Sequence, residues 1–164
     1  MGLSRDFERW YAGEHARLFA SLLVLSGDRD IAAEATDEAL SRALQHWDRV
    51  CDMDSPEGWT YRVAVNVVRR LGRRRALERR AVQRLGSQPK PASIAPDGEV
   101  WDLVRALSER QRMAVVLRYV ADLAERDIAA VMGVTRGTVA STLADARRVL
   151  AGILNQPDVA EEPS

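Results

Sequence analysis

The chain has 164 residues, of which 24 are basic and 24 are acidic, so its formal net charge is zero. This length is enough for one domain or for two small ones with a real core, and the overall charge alone gives no reason to expect a nucleic-acid partner. The single cysteine, Cys51, excludes an intramolecular disulfide and a zinc site built from cysteines.

The charges are nevertheless distributed unevenly along the chain. Residues 1–59 hold 6 cations and 12 acids, residues 60–90 hold 10 cations and 1 acid, and residues 91–164 hold 8 cations and 11 acids. A basic block inside a neutral protein is the electrostatic footprint expected for a polyanion partner. The sequence has neither an apolar run of about 18 residues nor a signal-peptide pattern, so we expect a soluble, cytoplasmic protein without membrane insertion.

Hydrophobic periodicity predicts two helices in the first 50 residues. The first covers residues 4–25 and ends at Ser26-Gly27, where glycine suits a helix C-cap. Asp28 or Asp30 is expected to cap the second helix, which is predicted to run to about Val50.

An acidic cluster, formed by Glu34, Asp37 and Glu38, lies on the second predicted helix. Paired carboxylates can serve acid–base catalysis or metal binding, but no histidine or other polar partner converges on these residues in the sequence. His15 and His46 lie far apart without metal-ligand spacing. We therefore interpret the cluster as a helix surface that faces solvent or a partner protein.

The basic block belongs to a long third helix. Ser55-Pro56-Glu57 has the cap, proline and acid of a helix start, and the helix is predicted to reach about Leu85. The stretch 69–80 contains seven arginines and a single acid, whereas a merely solvated helix end would mix signs. This pattern favours a surface that contacts phosphates. In an ideal helix, five polar side chains fall within a wedge of roughly 60°: Arg62, Asn66, Arg69, Arg73 and Arg80.

Residues 86–96 are rich in proline, serine and glycine and are predicted to form a flexible linker between two small helical domains, 1–85 and 97–154. In the second domain, a short helix around Trp101 precedes a helix that begins with the capping box of Ser108 and Gln111. The polar tail, residues 155–164, is predicted to be disordered.

Residues 123–150 have the spacing of a helix-turn-helix. Ala129, Gly133 and Val139 supply a small residue at the helix crossing, a glycine in the turn and an apolar anchor, and Thr135 is a good N-cap for the second helix. The exposed face of that helix combines short polar side chains with arginines, as a helix that enters a major groove would. An ordinary helical hairpin is the alternative that spacing leaves open.

The order of these predicted helices and motifs along the chain resembles that of an extracytoplasmic-function sigma factor of the bacterial sigma-70 family. The resemblance covers most of residues 5–152, and its strength lies in the order and spacing of stretches that are individually weak. These stretches are Gly27-Asp28-Arg29-Asp30, 34–43, 59–75, 107–112, Leu117-Arg118-Tyr119 and 127–150.

The resemblance implies an all-α fold, no catalytic activity, no cofactor and no metal, with three binding surfaces. The first would bind the coiled-coil of the polymerase β′ subunit: Glu34, Asp37, Glu38, Leu40 and Arg42. The second, with loop 51–58, would capture the unpaired −10 strand: Trp59, Tyr61, Arg62, Asn66, Arg69, Arg70, Arg73 and Arg74. The third would read the −35 element: Thr135, Arg136, Thr138, Ser141, Thr142, Asp145, Arg147 and Arg148. The β flap of core polymerase and an anti-sigma factor are further implied partners.

The sequence departs from the family pattern at several of these positions. The family usually has glutamine where Asp37 stands and an aromatic residue where Leu40 stands. The family also usually has basic residues at the positions that Ala140, Thr142, Ala144 and Asp145 occupy in this chain. The predicted recognition helix therefore has few phosphate anchors.

Two other classes of function are compatible with parts of the sequence. One is a helix-turn-helix regulator in which residues 1–85 form a sensing or dimerisation domain. The other is a small all-α enzyme that uses the acidic cluster. The arginine block argues against the first, since a sensing domain has no need of a cation-lined helix, and the lack of a second set of catalytic residues argues against the other.

Overall fold

The computed structural model describes residues 2–88 and 98–155, with side chains from residue 6 onward. The described residues form helices without strands, which confirms the all-α prediction. The helices are α1 Gly2–Ser26, α2 Arg29–Gln45, α3 Trp47–Val50, α4 Pro56–Arg84, α5 Glu99–Arg105, α6 Glu109–Tyr119, α7 Glu125–Met132 and α8 Arg136–Leu154. Most of the predicted linker, from residue 89 onward, and the tail after Asn155 lie outside the described residues.

Local capping signals place most helix starts where the sequence predicts them. Asp28 is the cap of α2, and its Oδ1 accepts hydrogen bonds from the backbone N–H groups of Asp30 and Ile31. The Oγ of Ser55 accepts from Gly58 at the start of α4, and both hydrogen bonds of the Ser108 capping box are present. These bonds satisfy N–H groups that a helix start leaves without intrahelical partners.

The second predicted helix is interrupted, which corrects the prediction of a continuous helix to Val50. His46 has φ −117° and ψ 20°, so α2 ends at Gln45 and the four-residue α3 follows. The break directs the side chain of Trp47 into an aromatic cluster with Phe7 and Trp10. The ring centroid of Trp47 lies 5.2 Å from that of Phe7 and 4.9 Å from that of Trp10. Burial of this large aromatic surface explains why the helical path is abandoned here.

The two predicted halves of the chain share one hydrophobic core. Helices α1, α2 and α4 pack on one another, α6, α7 and α8 form the second group, and α4 lies against α7. The continuous core includes Val67 and Leu71 of α4 together with Met113, Leu117 and Ile128 of the second group. The division into domains 1–85 and 97–154 stays a prediction, and in this structure the two groups are in contact.

Glu14 is a buried acid on α1. It is 5% exposed, and its Oε1 has no hydrogen-bond partner among the described residues. Burial, opposed by Arg17 and reinforced by Glu57, raises the pKa of Glu14 from about 4.5 to about 7. A carboxyl group whose pKa is raised by folding stabilises the fold below its unfolded-state pKa and loses that contribution as the pH rises through its folded-state pKa.

We therefore expect the Glu14→Gln variant to gain stability relative to the parent chain as the pH rises from about 4.5 to about 7. The relative gain should approach 3 kcal/mol, from about 1.4 kcal/mol per pKa unit. Urea unfolding at several pH values measures it, with exposed Glu34→Gln as the control. A constant difference between the variant and the parent chain would contradict the raised pKa.

Candidate nucleic-acid and protein interfaces

The three acids of the cluster on α2 differ in their exposure and in their ion pairs. Glu34 and Asp37 are exposed. Glu38 is paired with Arg42 on its own helix and with Arg70 of α4, each at 2.5 Å. Leu40 is buried at 3% exposure, so this residue of the predicted set lies beneath the exposed face and contributes little surface to it.

Asp37 stands beside a shallow apolar groove between α1 and α2. The groove is lined by Phe7, Tyr11, Asp37, Leu40, Ser41 and Leu44. Leu44 is 54% exposed and Tyr11 is 39% exposed. A carboxylate beside exposed apolar side chains can recognise a partner helix that offers a cation and apolar residues, since interfaces combine an apolar centre with a polar rim.

The arginines of α4 have different environments. Arg70 is bound to Glu38, Arg74 to Glu78 at 3.0 Å, and Arg75 to Asp28 and Asp30. By contrast, Arg62 and Arg73 are exposed, and the described residues contain no ion pair to either. Arg69 is half-buried and points a guanidinium nitrogen at the sulfur of Met113, 3.6 Å away. We call Arg62, Asn66, Arg69 and Arg73 the arginine face.

The two aromatic residues of the predicted −10 set have different environments. Trp59 is half-buried on the first turns of α4. Tyr61 is completely buried, and its hydroxyl lies 3.1 Å from Ser21 Oγ. Because Ser21 donates its own hydroxyl hydrogen to the Arg17 carbonyl, Tyr61 is the donor to Ser21. Burial raises the pKa of Tyr61. The prediction that Tyr61 contacts DNA is thus corrected, because a side chain enclosed in the core cannot stack on a base.

Helix α8 has the predicted helix-turn-helix geometry. Gly133 has φ 68° and ψ 38° in the turn, a left-handed conformation in which other residues are strained, and Thr135 caps α8 by accepting from Thr138 N–H. Val139, Leu143 and Ala146 form the buried stripe of α8, and Leu150, one turn farther along, is half-buried. The opposite face is exposed as the periodicity predicts.

Several polar side chains of α8 already have partners. Arg148 is paired with Asp145, and Arg147 donates to the hydroxyl of Tyr119 at 2.9 Å. Thr142 is 8% exposed and donates to the Thr138 carbonyl, which corrects its prediction as a base-reading residue. The exposed members of the predicted −35 set that remain are Thr135, Arg136, Ser141, Asp145, Arg147 and Arg148, with Thr138 half-buried.

Sequence reasoning missed several contacts between residues that are distant in the sequence. Asp28 is paired with Arg75, an arginine that the charge pattern assigned to phosphate binding. Arg126 of α7 faces Asp54 in the loop before α4, and Asp127 lies directly over Gly58. For the pair of Asp28 and Arg75, the only hint in the sequence is that Asp28 belongs to a stretch of the family resemblance. Nothing in the sequence marks α7 as a neighbour of loop 51–55.

Comparison with known proteins identifies relatives over most of the chain. Residues 97–150 match the family model described as Sigma-70, region 4. The chain is 27% identical to the RNA polymerase sigma-E factor of Streptomyces coelicolor over 146 residues, which cover 87% of this chain and 82% of that protein. It is 28% identical to the sigma-E factor of Streptomyces avermitilis over 141 residues, 84% of this chain and 79% of that protein.

Two solved structures have the same fold. One is the sigma factor RpoE in complex with the anti-sigma factor NepR from Bartonella quintana, with a TM-score of 0.73 and 24% identity over 93% of this chain and 99% of that one. The other is CnrH in complex with the cytosolic domain of CnrY, with a TM-score of 0.63 and 21% identity over 92% of this chain and 88% of that one. No helix in the described ranges is long and apolar enough to cross a membrane.

Proposed function

We propose that this chain is a sigma factor of the sigma-70 family and that it directs core RNA polymerase to promoters through three separate surfaces. The acidic face of α2, which is formed by the acidic cluster Glu34, Asp37 and Glu38, binds the polymerase. The arginine face of α4 with loop 51–55 captures the unpaired −10 strand, and α8 reads the −35 element. A sigma factor is a transcription initiation factor, and we assign no reaction to any of these residues.

The main support for this proposal is that some arginines of α4 are paired with carboxylates whereas others are exposed without an ion pair. Arg70, Arg74 and Arg75 are held by carboxylates, whereas Arg62 and Arg73 remain exposed beside Asn66 on one face of the helix. Exposed cations at helical spacing, next to a half-buried tryptophan, fit a single strand whose backbone is neutralised and whose bases can stack.

Helix α8 supports a second, weaker contact with duplex DNA. Because Asp145 neutralises Arg148, the helix presents less positive charge than its arginines suggest. We infer that α8 contributes sequence reading through Ser141 and Arg136, and that its affinity depends on the polymerase, which holds both DNA-binding surfaces on one promoter and raises the local concentration of the −35 site.

The solved structures with this fold suggest a class of regulator. RpoE is in complex with an anti-sigma factor, and CnrH is bound to the cytosolic domain of CnrY. We propose that this chain is likewise regulated by an anti-sigma protein.

The test of polymerase recruitment is charge reversal at Asp37. Because Asp37 is exposed and has no ion-pair partner among the described residues, Asp37→Arg leaves the helix packing intact while placing a like charge at the partner's cation. We expect at least about a tenfold loss of affinity for core polymerase, or about 1.4 kcal/mol, measured by co-purification and by titration of labelled protein. Glu38 is unsuitable because its replacement would also release Arg70.

The matched control is Asp48→Arg, which reverses the charge of another exposed acid, on α3 and outside the three surfaces. It should bind core polymerase as the parent chain does. If Asp37→Arg also retained parental affinity, the acidic face would not be the polymerase surface. If the parent chain bound duplex DNA but not core polymerase, the alternative helix-turn-helix regulator would replace the sigma factor.

A further inference from the structure

A cleft of about 450 Å³ lies where the end of α1 and the start of α2 meet the middle of α4 and the first turns of α6. Its walls are largely apolar and include Leu25, Ile31, Val65, Val68 and Met113. Clefts of about 300–1,000 Å³ with apolar walls and a few polar groups are the usual form of small-molecule sites. The binding of polymerase and DNA proposed above makes no use of these apolar walls.

The charged side chains at this cleft are mostly cationic. Arg69, Arg73 and Arg112 line it, and Glu109 is the single acid among the described residues that do so. Arg112 is already engaged, because it donates hydrogen bonds to three backbone carbonyls around the end of α5. Arg73 is exposed, and no ion pair to it exists within residues 6–88 and 98–155. The cleft therefore has a net positive charge and offers two guanidinium groups to a ligand.

Arg69 has a weak partner for a half-buried cation. Its guanidinium donates to the sulfur of Met113 at 3.6 Å. A thioether sulfur is a weak acceptor, and a cation that is withdrawn from water is unfavourable without a stronger partner. Arg69 and Met113 also line a second cleft, of about 370 Å³, so the guanidinium borders open space on more than one side. A bound anion would supply the acceptor that the protein itself does not provide.

We propose that this cleft binds an amphipathic anion, a small molecule in which an apolar body carries one carboxylate or phosphate group. The apolar body lies against the walls formed by Leu25, Ile31 and Val68. The anionic group accepts charge-assisted hydrogen bonds from Arg69 and Arg73. This inference goes beyond the proposed function, and ligand binding to the free chain is measured without polymerase or DNA.

Calorimetric titration of the full chain with octanoate and with octyl phosphate tests the class of ligand. We expect saturable binding with a dissociation constant below about 1 mM for at least one of the two, and the tighter one identifies the anionic group as carboxylate or phosphate. 1-Octanol has the same apolar body without the charge, and inorganic phosphate has a charge without the apolar body. Each should bind at least about tenfold more weakly. The inference is wrong if neither amphiphile binds, or if 1-octanol or inorganic phosphate binds as tightly.

The charge of the site is tested at Arg69. Arg69→Gln keeps a polar side chain but removes the cation, so we expect at least about fivefold weaker binding of the amphiphile that the parent chain prefers. Arg79→Gln is the matched control, because Arg79 is an exposed arginine of α4 outside the cleft. It should bind as the parent chain does. Equal losses in the two variants would show that net charge, and not this cleft, determines binding.

The space in the cleft is tested at Gly72 without a change of charge. Gly72 lines the cleft, and a Cβ atom added there meets no atom within 4 Å apart from its chain neighbours and its own helical backbone. Gly72→Leu should fill the cleft and abolish saturable binding, while the helix is retained because leucine has a higher helix propensity than glycine. Circular dichroism checks the fold. Gly72→Ala adds only a methyl group and should bind within about threefold of the parent chain. Parental affinity in Gly72→Leu would place the ligand elsewhere and overturn the inference.

Discussion

Replacing Asp28 by alanine is expected to lower the free energy of unfolding by about 2–4 kcal/mol. Asp28 is 3% exposed and performs two tasks, since Oδ1 caps α2 through two backbone N–H groups and Oδ2 is paired with Arg75 of α4. Loss of a cap costs about 1 kcal/mol, and loss of a hydrogen bond to a charged group costs about 1.5–3 kcal/mol. Urea unfolding followed by circular dichroism measures the sum.

Two further variants separate the cap from the ion pair. Asp28→Asn keeps an oxygen that can cap α2 but removes the charge, so it should lose only the ion-pair part. In the Arg75→Met background, Asp28→Ala should lose only the cap, and the difference between the two backgrounds is the coupling energy. Asp30→Ala is the control, because its carboxylate is exposed and lies 3.4 Å from the same arginine; it should cost less than about 1 kcal/mol. A loss below about 0.5 kcal/mol for Asp28→Ala would contradict the assignment.

The contact between Asp28 and Arg75 also has a consequence for function. It fixes the start of α2, which carries the acidic face, against the middle of α4, which carries the arginine face. The pair formed by Glu38 and Arg70 joins the same two helices farther along. The proposed polymerase and −10 surfaces are therefore held in one relative orientation, as a subunit that joins polymerase to a melted strand requires.

Features encoded by neighbouring residues could be predicted from the sequence. The caps at Ser55, Ser108 and Thr135 and the glycine turn at Gly133 depend on residues within about one helical turn, so the local pattern determines them. For α8, the periodicity also predicted the exposed face, because that periodicity is a property of a single helix.

Features that depend on contacts distant in the sequence could not be predicted. The break at His46 follows from the aromatic cluster of Trp47 with α1, and the burial of Tyr61 follows from its contact with Ser21 across 40 residues. The composition of the arginine block gave no sign of which arginines are paired, since their carboxylate partners come from α2 as well as from α4. The approach of α7 to Gly58 depends on the packing of the two halves, which no local pattern specifies.

The distinction between paired and unpaired arginines leads to the prediction with the largest expected effect on DNA binding. Replacing Arg62 and Arg73 by alanine should weaken open-complex formation and reduce the slope of its log–log salt dependence by about 1.4 to 1.8, if each arginine neutralises one phosphate. We choose Arg62 and Arg73 because both are exposed and unpaired among the described residues, whereas Arg69 already contacts Met113.

The charge-matched control replaces Arg70 and Arg74 by alanine. These arginines belong to the same helix, but Glu38 and Glu78 already neutralise them at 2.5 and 3.0 Å. Their removal releases few counterions from DNA, so the slope should change by clearly less than in the Arg62 and Arg73 variant. Equal changes in the two variants would mean that net charge alone, and not the geometry of the arginine face, determines strand capture. A parental slope in the Arg62 and Arg73 variant would mean that these side chains face solvent throughout initiation.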